Sequence, residues 1–280
     1  MTGRTRIRLG VREDLGADCG SCFGLCCVAL TFSRSADFPF DKAAGDPCRH
    51  LDDGDACGIH GELRERGFKG CTVFDCFGAG QKVSRHTFGG RSWRDDPAVG
   101  AQMLRVFPVV RRLHELLWYL DEASALTTDA ALAEALAERF ARVRGLSDGS
   151  PDELAILDVD AEYDAARPLL VEASELARRS VPTAAAVRRL GPGSDLSGAA
   201  LAGADLRGVC LRGSLLIGAD LSGAQLARCD LLGVDLRDAD LSGADLGQAI
   251  YLTQMQVSSA RGDRSTVLPT GFDRPGHWGS

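Results

Sequence analysis

The sequence predicts a multidomain chain: a Cys-rich metal-binding segment, a small α-helical bundle, and a stacked five-residue repeat array closed by a short tail. Three observations lead there. Eight of ten cysteines fall between positions 19 and 76. Apolar residues then recur at spacings of three and four, the mark of one helical face. From Leu196 to Leu246 a Leu recurs every five residues, with Tyr251 closing the run. A period of five fits neither helix nor ordinary strand and marks a repeat architecture.

The expected boundaries are 1–92 for the Cys-rich domain, 93–180 for the helical bundle, 181–193 for a linker, 194–251 for the array and 252–280 for a C-terminal cap. Residues 1 to about 18 are charged and expected to be frayed. Among the cysteines lie Gly, Asp and short breaks rather than long periodic runs, so the segment has little apolar core of its own and needs another source of cohesion.

In the helical region Met103, Phe107, Val110, Leu113, Leu117 and Leu120 line one face. Pro108 is expected to kink or break that helix. A second helix fits Asp129 to Arg144, with Gly145 as its stop. A third begins at Ser150-Pro151-Asp152-Glu153, where Ser150 is the N-cap, Pro151 the first helical residue and Glu153 the capping-box partner. It is expected to run to about Arg179, kinked at Pro168. His114, between Arg112 and Glu115, is expected on the outer side of its helix, and His86 and His277 are read as solvent or packing residues.

In the array a small residue sits two places before each Leu, Asp precedes it seven times, and Gly dominates two places after it. One large and one small apolar side chain per five residues imply a narrow interior, which only stacked neighbours can bury. Gly suits the corner where a turn needs positive φ. The segments Ala204-Asp205-Leu206, Ala219-Asp220-Leu221, Ala239-Asp240-Leu241 and Ala244-Asp245-Leu246 resemble the pentapeptide-repeat family. That resemblance implies a right-handed quadrilateral β-helix with one repeat per side, here about three coils. Cys229 occupies an inward small position and reads as packing, whereas Cys210 reads as outward and exposed. After Tyr251 the period fails, and Leu252 to Val257 reads as a short helix in a terminal cap.

The core cysteine signal is Cys19-Gly20-Ser21-Cys22-Phe23-Gly24-Leu25-Cys26-Cys27. Thiolates two residues apart can share one metal across a tight turn. Cys57 with His60, Cys48 with His50, and Cys71 with Cys76 offer further donors. Eight sulfurs and two imidazoles suffice for two four-coordinate sites, or for an iron–sulfur cluster plus a zinc. The CxxCxxxCC opening, the Cys48-to-Cys57 spacing with Ile59 after it, and the final pair near Phe74 resemble a zinc- or iron-chelating cysteine-cluster family, over about residues 19 to 80. His60 and Gly67-Phe68 stand where that family commonly has an aromatic residue and an Arg-Pro pair. The resemblance implies metal chelation and leaves the metal open.

The net charge of −7 argues against general nucleic-acid binding, which needs a basic face. No apolar run approaches the length of a membrane span, and the opening residues lack the apolar core of a secretory signal. A cytoplasmic, reducing location is expected, where clustered cysteines read as metal ligands before disulfides. Gly78-Ala79-Gly80 lacks phosphate-loop spacing, and no catalytic set is suggested by spacing.

The leading functional expectation is a metal-binding protein, holding zinc or an iron–sulfur cluster, whose array is a scaffold or docking surface for a protein partner. Two alternatives stand beside it. Some pentapeptide-repeat proteins resemble duplex DNA and bind DNA gyrase in its place. Here residues 191 to 250 carry eight Asp and four Arg, an acidic balance that the arginines dilute. The other alternative is an iron–sulfur or metal-dependent enzyme of unassigned substrate.

Overall fold

The computed structural model describes residues 15–181, 184, 187 and 189–279. The charged opening through residue 14 and parts of the 181–193 linker lie outside the described residues. The chain forms two compact units. One comprises 15–121 with 133–168, the other 122–132 with 169–279.

The first unit opens with the cysteine segment. Its regular structure is short: helix α1 (Leu25–Ala29), α2 (Lys69–Val73) and α3 (Ala79–Gln81), the last widening into a π-helical turn at Lys82–Thr87. Two isolated antiparallel bridges, Phe32 to Lys42 and Leu51 to Cys57, draw the loops together. Stacked rings of Phe32 and Phe38, with Phe40 and Phe68 edge-on to Phe32, supply a small aromatic core.

Helix α4 (Pro97–Leu126) follows, then α5 (Ala130–Ser147), α6 (Pro151–Ala155) and α7 (Val159–Arg178). The α4 face is buried as its spacing predicts, from Met103 through Phe107, Val110, Leu113 and Leu117 to Leu120. Helix α4 runs through Pro108 without the break that is one of the two outcomes expected there, and three further expectations are corrected. Val106, Phe107 and Val110 are buried around that proline and hold both halves of the helix to one core, which offsets the lost backbone bond. Helix α5 passes Gly145 and ends at Ser147, because a glycine stops a helix only where it turns left-handed, and Gly145 is not among the positive-φ residues.

The third helix is two. Ser150 and Glu153 form the predicted capping box, but the helix breaks after Ala155. Asp158 then accepts from the Ala161 N–H at 3.1 Å and starts α7 afresh, and Pro168 lies inside that second helix. Finally, His114 is only 4% exposed, with Nδ1 2.7 Å from the Phe77 carbonyl oxygen. The apolar face of α4 is wider than its Leu positions alone, so a polar residue beside Leu113 is enclosed.

The second unit is built on the array. Bridges pair each side with the side twenty residues on: Asp195 with Leu215, Ala200 with Asp220, Asp205 with Gln225, Cys210 with Asp230. Four five-residue sides therefore make one coil. The rungs are isolated parallel bridges, one residue per side, rather than strands among the described residues. A corner every five residues leaves no room for a longer ladder. Glycines from Gly193 to Gly243 hold those corners at positive φ, and Arg228 and Asp238 take the same conformation where glycine is missing. Inside, Leu206, Leu211, Leu216, Leu221, Leu226 and Leu231 are fully buried or nearly so, beside the small stack that includes Ala219, Ala224 and the buried Cys229.

Each of the seven Asp residues before a Leu accepts a backbone N–H two residues on, at 2.9 to 3.2 Å. These carboxylates cap turns. At the C-terminal end helix α8 (Gln254–Ser259) starts two residues later than the sequence suggests, because Thr253 caps it. Gln256 Nε2 donates to the Leu231 and Val234 carbonyls, so the last coil's open acceptors are satisfied. Among the described residues no helix is long and apolar enough to cross a membrane.

The tail also holds a strongly acidic carboxyl. Hydrogen bonds from the Ser265 hydroxyl, first, and then the Gly243 N–H, Ser265 N–H and Thr266 hydroxyl pull Asp263 down from 3.8 to about 2. A carboxyl depressed by folding stabilises the fold above its unfolded value, and that contribution disappears as pH falls through the folded value. In Asp263→Asn we expect a shallower loss of stability between about pH 4 and pH 2, read from urea midpoints. A profile identical to wild type would contradict this role.

Candidate metal centre

The ten predicted ligands are distributed unevenly. Cys26 and Cys27 lie in α1, and Cys57 enters through its bridge to Leu51. The Cys48 N–H donates to the Cys27 carbonyl at 2.9 Å, and Leu51 N–H to the Cys48 carbonyl, so the second loop is laid against the end of α1. The Cys27 thiol hydrogen-bonds to the sulfurs of both Cys26 and Cys57. Those two bonds hold the Cys27 proton well above the ordinary thiol range. Cys26 is lowered by the bond from Cys27, and Cys57 is drawn down to about 6 by the same donor. The thiols of Cys26, Cys27 and Cys57 thus act on one another.

A second pairing brings the Cys22 and Cys76 sulfurs together over Gly80. A side chain on Gly80 would sit 2.8 Å from the Cys22 sulfur and 3.8 Å from the Cys76 sulfur; α3 therefore needs glycine where it passes them. Cys22 also accepts the Leu25 N–H at 3.5 Å and so begins α1. Burial pushes Cys22 up to about 11 and Cys76 up to about 12, the range of neutral, packed thiols.

The remaining expected ligands are less gathered. Cys19 and Cys71 are exposed. His60 is exposed at the start of the turn His60–Glu62. His50 packs edge-on to Phe68 at 5.2 Å and near Phe40 at 6.4 Å. Burial there, aided by the positive charge of Arg49, lowers its pKa.

All ten cysteines are free thiols. Among the described residues, no three His, Cys, Asp or Glu side chains stand in a metal-holding arrangement. The expected ten-residue ligand set is therefore not assembled as a shell. Thiols sharing a proton point at one another, whereas ligands point at a common centre. The donor chemistry itself suits zinc or iron, for which cysteine thiolates are ordinary ligands.

Two charged groups absent from the expected set are buried in the fold. Lys42 is buried under the end of α1, with no sequence signal beyond its place among aromatic residues. Asp230 is buried in the array, and here a signal existed: Leu232 follows it where the other Asp-Leu repeats carry Ser, Arg or Gly. Cys210, expected to be exposed, is half-buried, its sulfur 4.0 Å from Asp230.

Comparison with known proteins places these features in context. Residues 192–216 and 214–250 match the family described as Pentapeptide repeats, in eight copies. The chain is 50% identical over 278 residues to the uncharacterized protein YybG of Bacillus subtilis (strain 168), covering 99% of this chain and 100% of that one. A solved structure of a pentapeptide repeat protein from the Arabidopsis thaliana thylakoid lumen is 28% identical, covering 34% of this chain and 66% of that one, at a TM-score of 0.17. That superposition is too poor to carry structural detail.

Proposed function

For a chain that belongs to the pentapeptide-repeat proteins and is a full-length homologue of YybG, we propose a metal-binding role in the cytoplasm, with the array as a rigid scaffold for a protein partner. The thiols of Cys26, Cys27 and Cys57 hold zinc or an iron–sulfur cluster, completed by other cysteines of the segment. One observation carries this reading: Cys26 and Cys27 on α1 lie against the loop of Cys48 and Cys57, the Cys48 N–H donating to the Cys27 carbonyl. Bound metal would add cohesion to a segment whose regular structure is short. Cys26, Cys27 and Cys57 would hold the metal as thiolates, each giving up its proton on binding.

The array supports the scaffold part of the reading. Its Asp side chains are engaged in capping turns, and those of Asp205 and Asp235 are also forked by Arg207 and Arg237. Arg207 and Arg237 interrupt the negative surface that imitation of duplex DNA would need, so a docking surface is favoured over binding to DNA gyrase. The array fits the right-handed quadrilateral β-helix that the family resemblance implies, its four sides supported by the twenty-residue coil.

Elemental analysis of the full chain, purified without oxygen, is the direct test. We expect near-stoichiometric zinc or iron, lost in Cys27→Ser, and visible absorption separates a cluster from zinc. Wild-type protein with all thiols reactive and no bound metal would overturn the proposal.

A further inference from the structure

The two side chains that flank the central residue of each repeat turn away from the array's interior, because neighbours along an extended backbone alternate in direction. Two repeats carry large aliphatic residues at both positions: Ile250 and Leu252 around Tyr251, and Leu215 and Ile217 around Leu216. In every other repeat at least one of the two is polar, or both are alanine. The pair at the end of the array is covered, at 0% and 1% exposure. The pair in the middle coil is not: Leu215 is 41% exposed and Ile217 is half-buried. Removing such a pair from water is favourable, and the chain does so for one of its two pairs.

The surroundings of the open pair define the cover that fits it. Bridges set Leu215 between Asp195 and Asp235. The Gly198 N–H donates to the Ile217 carbonyl and the Gly218 N–H to the Arg237 carbonyl, both at 2.9 Å, which stacks Ile217 between Ser197 and Arg237. Successive coils lie about 4.8 Å apart. This side of the array therefore shows two columns, Asp195-Leu215-Asp235 and Ser197-Ile217-Arg237. Within one chain each acid already takes a donor from the other column: the Ser197 hydroxyl donates to Asp195 at 2.8 Å, and Arg237 pairs with Asp235 at 2.6 Å.

Turning a second copy about a two-fold axis parallel to the array axis exchanges the columns. Leu215 then meets Ile217, Asp235 meets Arg237 and Asp195 meets Ser197, each twice by symmetry. A two-fold axis along the strand direction would instead set Asp195 against Asp235, and like charges directly opposite are destabilising. The patch is thus complementary to itself in one orientation, in shape of side chain and in charge.

Building on the reading of the array as a docking surface, we propose that this side binds a second copy of the chain, as a parallel two-fold dimer centred on Leu215 and Ile217 with Asp235–Arg237 pairs crossing between the copies. One side of three short coils is smaller than a standard interface, so the dimer is weak and reversible. The cysteine segment takes no part in it.

Sedimentation of the full-length protein in reductant, across a wide concentration range, is the test. Wild type is expected to show a reversible monomer–dimer equilibrium. Leu215→Glu is expected to weaken it at least about tenfold, with the urea midpoint close to wild type because the residue is exposed. Charge exchange then reads the orientation. Arg237→Glu and Asp235→Arg each place like charges opposite one another in a homodimer, and both are expected to stay monomeric where wild type dimerises. Mixed in equal amounts they are expected to pair, since the acidic couple of one meets the basic couple of the other. A wild type monomeric at every concentration overturns the inference and leaves the array to a different protein partner. An L215E protein that dimerises as wild type does, or a mixture of R237E and D235R that stays monomeric, overturns it as well. The metal content of wild type is decided separately by elemental analysis and bears on none of these outcomes.

Discussion

Asp230→Ala is expected to destabilise the chain by about 3–5 kcal/mol, the range for breaking a buried ion pair from one side. Asp230 is 0% exposed. Its Oδ2 accepts from Arg212 Nη2 at 2.7 Å and from the Ser174 hydroxyl at 2.6 Å, and its Oδ1 accepts the Leu232 N–H at 3.0 Å. Arg212 lies over the Tyr251 ring at 5.8 Å, and the Tyr251 hydroxyl donates to the Leu170 carbonyl at 2.9 Å. Arg178 donates to Ser174 and toward the Gly208 carbonyl. The end of α7 thus lies against one column of the array through a polar network.

Removing the carboxylate leaves Arg212 covered and unmatched, with its Nε already lacking a partner. The penalty comes mainly from that orphaned charge, not from the attraction lost. Replacing both partners together, as Asp230→Leu with Arg212→Met, is therefore expected to cost much less than the single change. Urea midpoints of wild type and the two variants measure the difference. A D230A protein within about 1 kcal/mol of wild type would show the network to be dispensable.

Trp278→Ala is the second large effect, at about 3–5 kcal/mol for deleting a buried aromatic ring. Trp278 is 2% exposed and shares the array's core. Its indole N–H donates to the Ala260 carbonyl at 2.9 Å. The ring is pressed so closely on Gly262 that a side chain there would come within 2.7 Å of it. Stacked repeats need their ends closed, and this ring clamps the tail whose Gln256 and Thr266 side chains satisfy carbonyls of the last coil. The loss is expected to begin at the C-terminal coil, exposing a sheet edge and promoting self-association. Hydrogen exchange would rise first near residues 241–268, and light scattering would report the association. Uniform exchange across the array, with unchanged melting, would contradict the clamp.

Much of this architecture is legible residue by residue. The Leu and small-residue stacks, the inward Cys229, the glycine corners and the Ser150–Glu153 box all follow from local patterns whose geometry is set within a few residues. The misread positions share a cause of another kind. Gly145 has glycine's freedom and does not use it. Asp158 looks like one more helical polar residue until its side chain caps α7. His114 is flanked by charges and yet faces a carbonyl from a segment 37 residues away. Each outcome depends on a group brought from elsewhere in the chain.

The candidate site divides along the same line. Clustering and spacing of eight cysteines mark the segment as chemically special without saying which sulfurs meet. Only the tertiary structure joins Cys27 to Cys26 and Cys57, sets Cys22 and Cys76 about Gly80, and leaves Cys19, Cys71 and His60 at the surface. From the sequence alone come the five-residue stack, the helical faces and the location of the thiols, because periodicity and composition are local properties. The tertiary structure alone decides the matching of buried charges, Lys42 under α1 and Asp230 against Arg212. A charge becomes costly, and therefore specific, only when folding removes it from water and places its partner beside it.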